Sequence, residues 1–229
     1  LSMKKSLILG TAIAAALTSG SVLADLSGNA AISSNYIWRG MTQTSDQAAG
    51  SGGIDWSDKS GLYAGIWVSN VDFSGNGDGY ENDLYVGFSG EAGNLGYDFG
   101  IITYQYPVTP NFNFTEIYAS GSFSMFTVGL NLTVDNASGN DDGIFVEDDI
   151  YLSFSADVTD TISVYAGSYM FDNDGAAGVG EVDYIHFGVS LSKDDFTFAI
   201  DKNDAEASAY GASADNVRVT VSWGKEFEL

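Results

Sequence analysis

Phe126-Thr127-Val128-Gly129-Leu130-Asn131-Leu132-Thr133-Val134 decides the fold, because apolar and polar residues alternate along it without a break. Successive side chains on a strand point to opposite faces, so this stretch reads as a strand with one apolar and one polar face. Three further stretches repeat the pattern. Ile150, Leu152, Phe154 and Ala156 alternate with Tyr151, Ser153 and Ser155. Ile185, Phe187, Val189 and Leu191 alternate with His186, Gly188 and Ser190. Val217, Val219, Val221 and Trp223 alternate with Arg218, Thr220 and Ser222. Weaker runs begin near Gly28, Ala48, Gly61, Tyr80, Leu95, Phe112, Thr161 and Asp195. The count is twelve, with ten as the alternative because the runs at Ala48 and Asp195 are the least regular.

The connections alternate in kind. Short polar turns fall near Asp58, Gly93, Ser124, Thr159 and Asp194. Longer loops, rich in acid and Gly, fall near Ser45, Gly77, Pro110, Gly139, Gly175 and Ala209. Amphipathic strands with short turns at one end and long loops at the other predict an all-β, antiparallel, up-and-down transmembrane barrel. Strands of about 9–11 residues suffice to cross a bilayer at a tilt. A soluble β-sandwich also alternates, but strict alternation of loop length and a final strand that keeps its phase almost to Leu229 favour the barrel.

The N-terminus predicts export. Lys4 and Lys5 precede the apolar run Ser6–Leu17, and Val22-Leu23-Ala24 supplies small-residue cleavage chemistry. Residues 1–24 therefore read as a signal peptide, with Leu1 and Ser2 upstream of Met3, and 25–229 as a single barrel domain in the outer membrane of a Gram-negative cell. The sequence contains no Cys, which removes disulfides and thiolate metal sites from consideration. The formal net charge of −23 makes nucleic acid an improbable partner, since phosphate binding needs a basic face. Acidic loops facing outward would sit beside lipid and lipopolysaccharide, where divalent cations can bridge acid to phosphate.

The face rule names the lumen. A recurring unit places Tyr beside Gly or Ser, as in Leu62-Tyr63-Ala64-Gly65, Leu84-Tyr85-Val86-Gly87, Ile117-Tyr118-Ala119-Ser120, Ile150-Tyr151-Leu152-Ser153 and Val164-Tyr165-Ala166-Gly167. With the aliphatic residues facing lipid, Tyr63, Tyr85, Tyr118, Tyr151 and Tyr165 point inward, joined by Tyr104 and Tyr169. Inward Tyr can cover Gly on a neighbouring strand, or form an aromatic track for a solute. The inward polar candidates for lining a pore are Asn35, Arg39, Asp55, Asp98, Glu116, Asn131, Asp149, His186, Asp201 and Arg218. Arg39 and Arg218 are placed near the outer ends of the first and last strands, where facing acids would make a seam ion pair or a constriction. Trp38, Trp56, Trp67 and Trp223 suit the aromatic belts at the membrane interfaces.

Other chemistry is weakly supported. His186 is the sole His, and a serine hydrolase needs such a base, yet a lone lumenal His is more simply a wall residue. Asp172-Asn173-Asp174-Gly175 and Asp141-Asp142-Gly143 space acids before Gly as calcium loops do, but the pattern is incomplete: the twelfth position from Asp172 is Asp183. Asp172 and Asp174 are thus weak metal candidates, and no cofactor is expected.

The stretch Ser34-Asn35-Tyr36-Ile37-Trp38-Arg39-Gly40-Met41-Thr42-Gln43-Thr44, with Gly52–Trp56, Ser60–Phe73, Leu95–Gly100 and Thr115–Tyr118, resembles the TorF-type family of candidate porins of proteobacteria. The resemblance implies an outer-membrane protein and carries no substrate. It singles out Arg39, Gly40, Gln43, Asp55, Asn70 and Glu116. The function expected is passive diffusion of small hydrophilic solutes through a narrow, cation-preferring pore. The alternative is a non-conducting structural or surface-binding barrel, since Asp135–Asp149 and Asp201–Asp215 are long enough to plug the mouth; an outer-membrane hydrolase ranks last.

Overall fold

The computed structural model describes residues 25–73, 79–136, 148–175 and 180–229. The segment read as a signal peptide lies outside the described residues, as do Gly77, Gly139 and the Asp141-Asp142-Gly143 motif.

Twelve antiparallel strands close into a barrel. They are β1 (Asp25–Ser33), β4 (Ala49–Ser57), β5 (Leu62–Val71), β6 (Gly79–Ala92), β7 (Leu95–Gln105), β8 (Phe114–Phe123), β9 (Phe126–Asn136), β10 (Ile150–Asp157), β11 (Ile162–Met170), β12 (Tyr184–Lys193), β13 (Phe196–Asn203) and β14 (Arg218–Glu228). Each strand pairs with its neighbours in sequence, and β1 pairs with β14 to seal the cylinder. The two shortest strands, β2 (Ile37–Trp38) and β3 (Met41–Thr42), pair only with each other.

The alternation sets the two faces. Leu62, Ile66, Leu84, Val86, Val128, Leu130, Leu152, Phe154, Phe187 and Val219 are exposed on the outside, while Tyr63, Tyr85, Tyr104, Tyr151 and Tyr169 are buried inside. An exterior this apolar fits a hydrocarbon surround, and closure leaves no unpaired strand edge for lipid to meet. Among the described residues, no helix is long and apolar enough to cross a membrane.

One end carries the short turns. Gly93-Asn94, Ser124-Met125 and Asp194-Asp195 each join two strands through two residues, with φ of +66°, +56° and +55° at the first position. Positive φ there defines the primed turns, whose twist matches that of the strands. At the turn after β4, Asp58 accepts hydrogen bonds from the Ser60 hydroxyl (2.5 Å) and backbone N–H (2.8 Å), which hold its carboxyl below the usual carboxylate range. The long loops gather at the other end.

Gly and Tyr interlock along the wall. A side chain added at Gly65 would meet the ring of Tyr85, one at Gly87 the rings of Tyr63 and Tyr118, one at Gly100 that of Tyr118, one at Gly167 that of Tyr151, and one at Gly188 that of Tyr165. Each Tyr therefore lies flat over a neighbouring strand, and the Gly makes the close approach feasible.

Candidate functional site

The loop between β1 and β4 does not stay at the rim. Its residues Ile37–Thr42 form a hairpin that descends into the lumen, and Ile37, Trp38, Arg39 and Thr44 are buried. The local sequence explains the turn. Trp38 pairs with Met41, leaving Arg39 and Gly40 as a two-residue connection with φ of +47° and +79°. Positive φ at both positions is the type I′ geometry that favours tight hairpins. Arg39 accepts a conformation uncommon for a residue with a side chain.

What holds Arg39 there is its side chain. Its two terminal nitrogens donate to the two carboxylate oxygens of Glu116 on β8, at 2.8 and 2.6 Å. Both side chains are about 1% exposed. The fork geometry is the strongest arrangement available to this pair. Three rings surround the guanidinium: its carbon lies 4.3 Å from the Trp38 centroid, 4.1 Å from Tyr151 and 4.8 Å from Tyr169. Such placement over ring faces is attractive, more so where water is excluded. Glu116 also accepts from Asn131 Nδ2 (2.9 Å) and the Tyr104 hydroxyl (3.4 Å). Opposite Glu116 the pairing of β8 with β9 skips a residue, Thr115 facing Asp135 and Glu116 facing Thr133. Bulges of this kind locally re-aim side chains.

Further bonds fasten the loop. Asn203 Nδ2 on β13 donates to the Gly40 carbonyl at 2.7 Å. Tyr36 donates its hydroxyl to Glu81 at 3.0 Å. Arg218 Nε donates to Asp46 at 2.7 Å, and its terminal nitrogens donate to the carbonyls of Ala214 (2.8 Å) and Ser213 (3.0 Å). Asn35 donates to Asp46 (2.7 Å) and accepts from Thr42 and Thr44. Trp38 packs edge-on against Tyr104, Phe114 and Tyr169. The half of the lumen nearer the long loops is therefore filled by the hairpin and a ring of aromatic wall residues.

The half nearer the short turns is lined differently. Tyr63 donates to Asp98 at 2.6 Å and Tyr85 donates to Asp55, whereas the Tyr165 bond to Asp201 (2.6 Å) lies higher on the wall, where Asp201 pairs in register with Arg218. The Tyr63 and Tyr118 hydroxyls share a hydrogen bond, and Asn29 donates to Asp55 at 3.1 Å. Asp55, Asp98 and Tyr118 are half-buried here, whereas Arg39 and Glu116 of the plug region are buried.

Several sequence expectations change. Arg39 is not on a strand end but at the tip of an inner hairpin, because the wall strand stops at Ser33. Its partner lies across the barrel rather than at the seam. Arg218 does stand at the start of β14, yet it grips Asp46 of the first loop. Trp38 packs within the lumen rather than at a membrane interface, and Trp67 packs on Tyr36 against the inner cluster. The inward plug comes from 34–48. Of the two loops expected to plug the mouth, 137–147 lie outside the described residues, while Ala205, Tyr210 and Ala214 of the other pack onto the inner cluster.

The remaining candidates have partners of their own. Asp149 accepts from the Asp172 backbone N–H at 2.9 Å. His186 Nε2 shares a 2.8 Å hydrogen bond with the Tyr151 hydroxyl, its ring stacked parallel to that of Tyr151. Asp174 accepts from the backbone N–H groups of Val182 and Asp183, and Asp183 accepts from that of Phe171. The Asp174 carboxylate thus staples its own loop, and among the described residues no group of three His, Cys, Asp or Glu is placed to hold a metal.

A model of bacterial proteins of unknown function, Gcw_chp, matches residues 16–225. The chain belongs to the Gcw_chp family. The model spans the inner hairpin, Glu116 and every strand of the barrel. Comparison with curated proteins finds no match. Among solved structures, the Gcw_chp chain is similar to a membrane protein from the study "Unveiling the Mechanism Behind the in-meso Crystallization of Membrane Proteins", at 11% identity, 89% of this chain, 84% of that chain and a TM-score of 0.56. It is also similar to the KdgM porin, at 8% identity, 89% of this chain, 99% of that chain and a TM-score of 0.50. Identities this low establish a shared barrel fold, the fold of a porin, and nothing about a solute.

Proposed function

We propose that this protein is a porin-like channel of the outer membrane for small hydrophilic solutes, closed at rest by its own first loop. The observation that carries this reading is the Arg39–Glu116 contact inside a closed barrel with an apolar exterior. Ionisable residues within the membrane-spanning part of a protein are rare and commonly mark a solute or ion path. Here the inside carries charged and phenolic groups along its length. With the long loops outward, the plug sits on the external side and Asp55 and Asp98 form a vestibule toward the periplasm. That acidic vestibule supports a preference for cations and neutral solutes. Asn35, Arg39, Asp149, His186 and Arg218 then line or latch the external half, and residues 1–24 direct export.

The depth of the hairpin favours a second reading, a permanently plugged barrel that presents its acidic loops to lipopolysaccharide and divalent cations. Single-channel recording of the refolded protein in a planar bilayer separates the two. Discrete steps with a reversal potential favouring cations support the channel. A correctly folded barrel that stays silent, and stays silent when residues 35–47 are replaced by a short Gly-Ser linker, sinks it. Hydrolysis is not proposed, because His186 is engaged as a wall residue under Tyr151.

A further inference from the structure

Arg39 is a guest in a site made by the wall. Glu116 is on β8, Tyr104 on β7, Asn131 on β9, Tyr151 on β10 and Tyr169 on β11. Only Trp38 travels with Arg39 on the hairpin. Asn131 and Tyr104 hold the Glu116 carboxylate through bonds that do not depend on Arg39. Withdrawal of the hairpin would therefore leave a formed pocket with a carboxylate at its base and Tyr rings at its sides. A buried carboxylate that loses its only cation is strongly penalised. The pocket then accepts a cation in place of Arg39.

The chemistry of the replacement follows from the geometry. Two parallel N–H groups match the carboxylate fork, and a flat, weakly hydrated cation matches the ring faces the wall supplies, as the distances of 4.1 Å to Tyr151 and 4.8 Å to Tyr169 record. Arg39 itself is an imperfect occupant. Its Nε is buried without a hydrogen-bond partner among the described residues, and its backbone carries a positive φ. A free solute bears neither penalty.

We propose that the Glu116 pocket is a recognition site for solutes with guanidinium head groups, occupied at rest by Arg39 as an internal stand-in that such a solute displaces. The proposal rests on the channel reading for its purpose, since displacement of Arg39 is what would unseat the plug, but the pocket itself can be tested without current.

Methylguanidinium is the probe, titrated by calorimetry into the refolded full chain at constant ionic strength, with tetramethylammonium and potassium as comparisons. Arg39→Gly empties the pocket and suits the positive φ of the turn. The expected result is saturable binding of methylguanidinium to Arg39→Gly at least tenfold tighter than to the parent chain, and lost when Glu116→Gln is added. Arg39→Lys, which keeps the charge and gives up the fork, should fall between and covers the case in which Arg39→Gly does not fold. Equal affinity in the parent and both Arg39 variants overturns the proposal, as does potassium binding as tightly as methylguanidinium. Binding without any current in bilayers would keep the pocket and sink the channel. Current without binding would do the reverse.

Discussion

Asn203 and Gly40 meet through a 2.7 Å hydrogen bond that joins the thirteenth strand to the tip of the first loop. Beside it, a side chain on Gly40 would run into His186. The hairpin tip thus sits against both β12 and β13 while its arginine reaches β8. Contact with opposite arcs of the wall makes the loop a strut across the lumen, not a flap resting on one side.

The strut should respond sharply to its turn. Gly40→Ala places a methyl on a residue with φ of +79° and against His186, and left-handed backbone alone costs a residue with Cβ about 1–2 kcal/mol. The expected outcome is an unseated hairpin on an intact barrel. Trypsin reads this directly: Arg39 is 2% exposed in the parent and should become cleavable in the variant, with β-sheet circular dichroism unchanged. Equal resistance to trypsin would show that the turn geometry is not limiting.

The Arg39–Glu116 pair should be strongly non-additive. Removing one member of a buried pair leaves an uncompensated charge, at about 3–5 kcal/mol. Glu116→Gln and Arg39→Gly should each destabilise the barrel in urea titrations in lipid vesicles, and the double variant should cost clearly less than their sum. Additive costs would mean the two charges are not coupled.

The Tyr–Gly interlock gives a graded test. Gly188→Ala forces the Tyr165 ring off its neighbour and with it the bond to Asp201, for a cost of about 1–3 kcal/mol. Gly50 has nothing within reach of an added side chain, so Gly50→Ala should stay within about 0.5 kcal/mol of the parent. Similar effects at the two positions would remove the packing role assigned to Tyr165.

The lipid face is tested by Leu130→Arg. Leu130 lies mid-strand and outward, where Arg costs about 2–4 kcal/mol in a membrane barrel. Urea titration in vesicles checks the value. A neutral result would argue that this face is not in hydrocarbon.

Selectivity should trace to the vestibule. Asp55→Asn with Asp98→Asn keeps acceptors for Tyr85 and Tyr63 while removing two charges from the lumen. The reversal potential in a salt gradient should move toward zero. An unchanged potential would place the selective field elsewhere, in the loops.

Much of the wall was legible in the sequence. Alternation such as that of Phe126–Val134 is a local property, and a local property survives any tertiary arrangement that keeps the strand. The runs at Ala48 and Asp195, the least regular, are β4 and β13 in the structure. The plug was not legible from length, the criterion that pointed to other loops. What drives 34–48 inward is composition: Ile37-Trp38 gives the loop something to bury, and Arg39-Gly40 gives it a turn tight enough to enter. Arg39 and Glu116 were each singled out, but 77 positions separate them, and only the closed register brings them together. The bulge opposite Glu116 left no mark, because Val134 extends the alternation of β9 in sequence even though the pairing skips it.

The hairpin tip leans on Tyr104, Glu116, Tyr151, Tyr169, His186 and Asn203, all of which follow it in the chain by dozens of residues. The first loop to leave the ribosome can therefore be among the last to find its seat. Its final seat exists only once strands from both arcs of the wall stand in place, so the loop that closes the bore depends on nearly the whole cylinder around it.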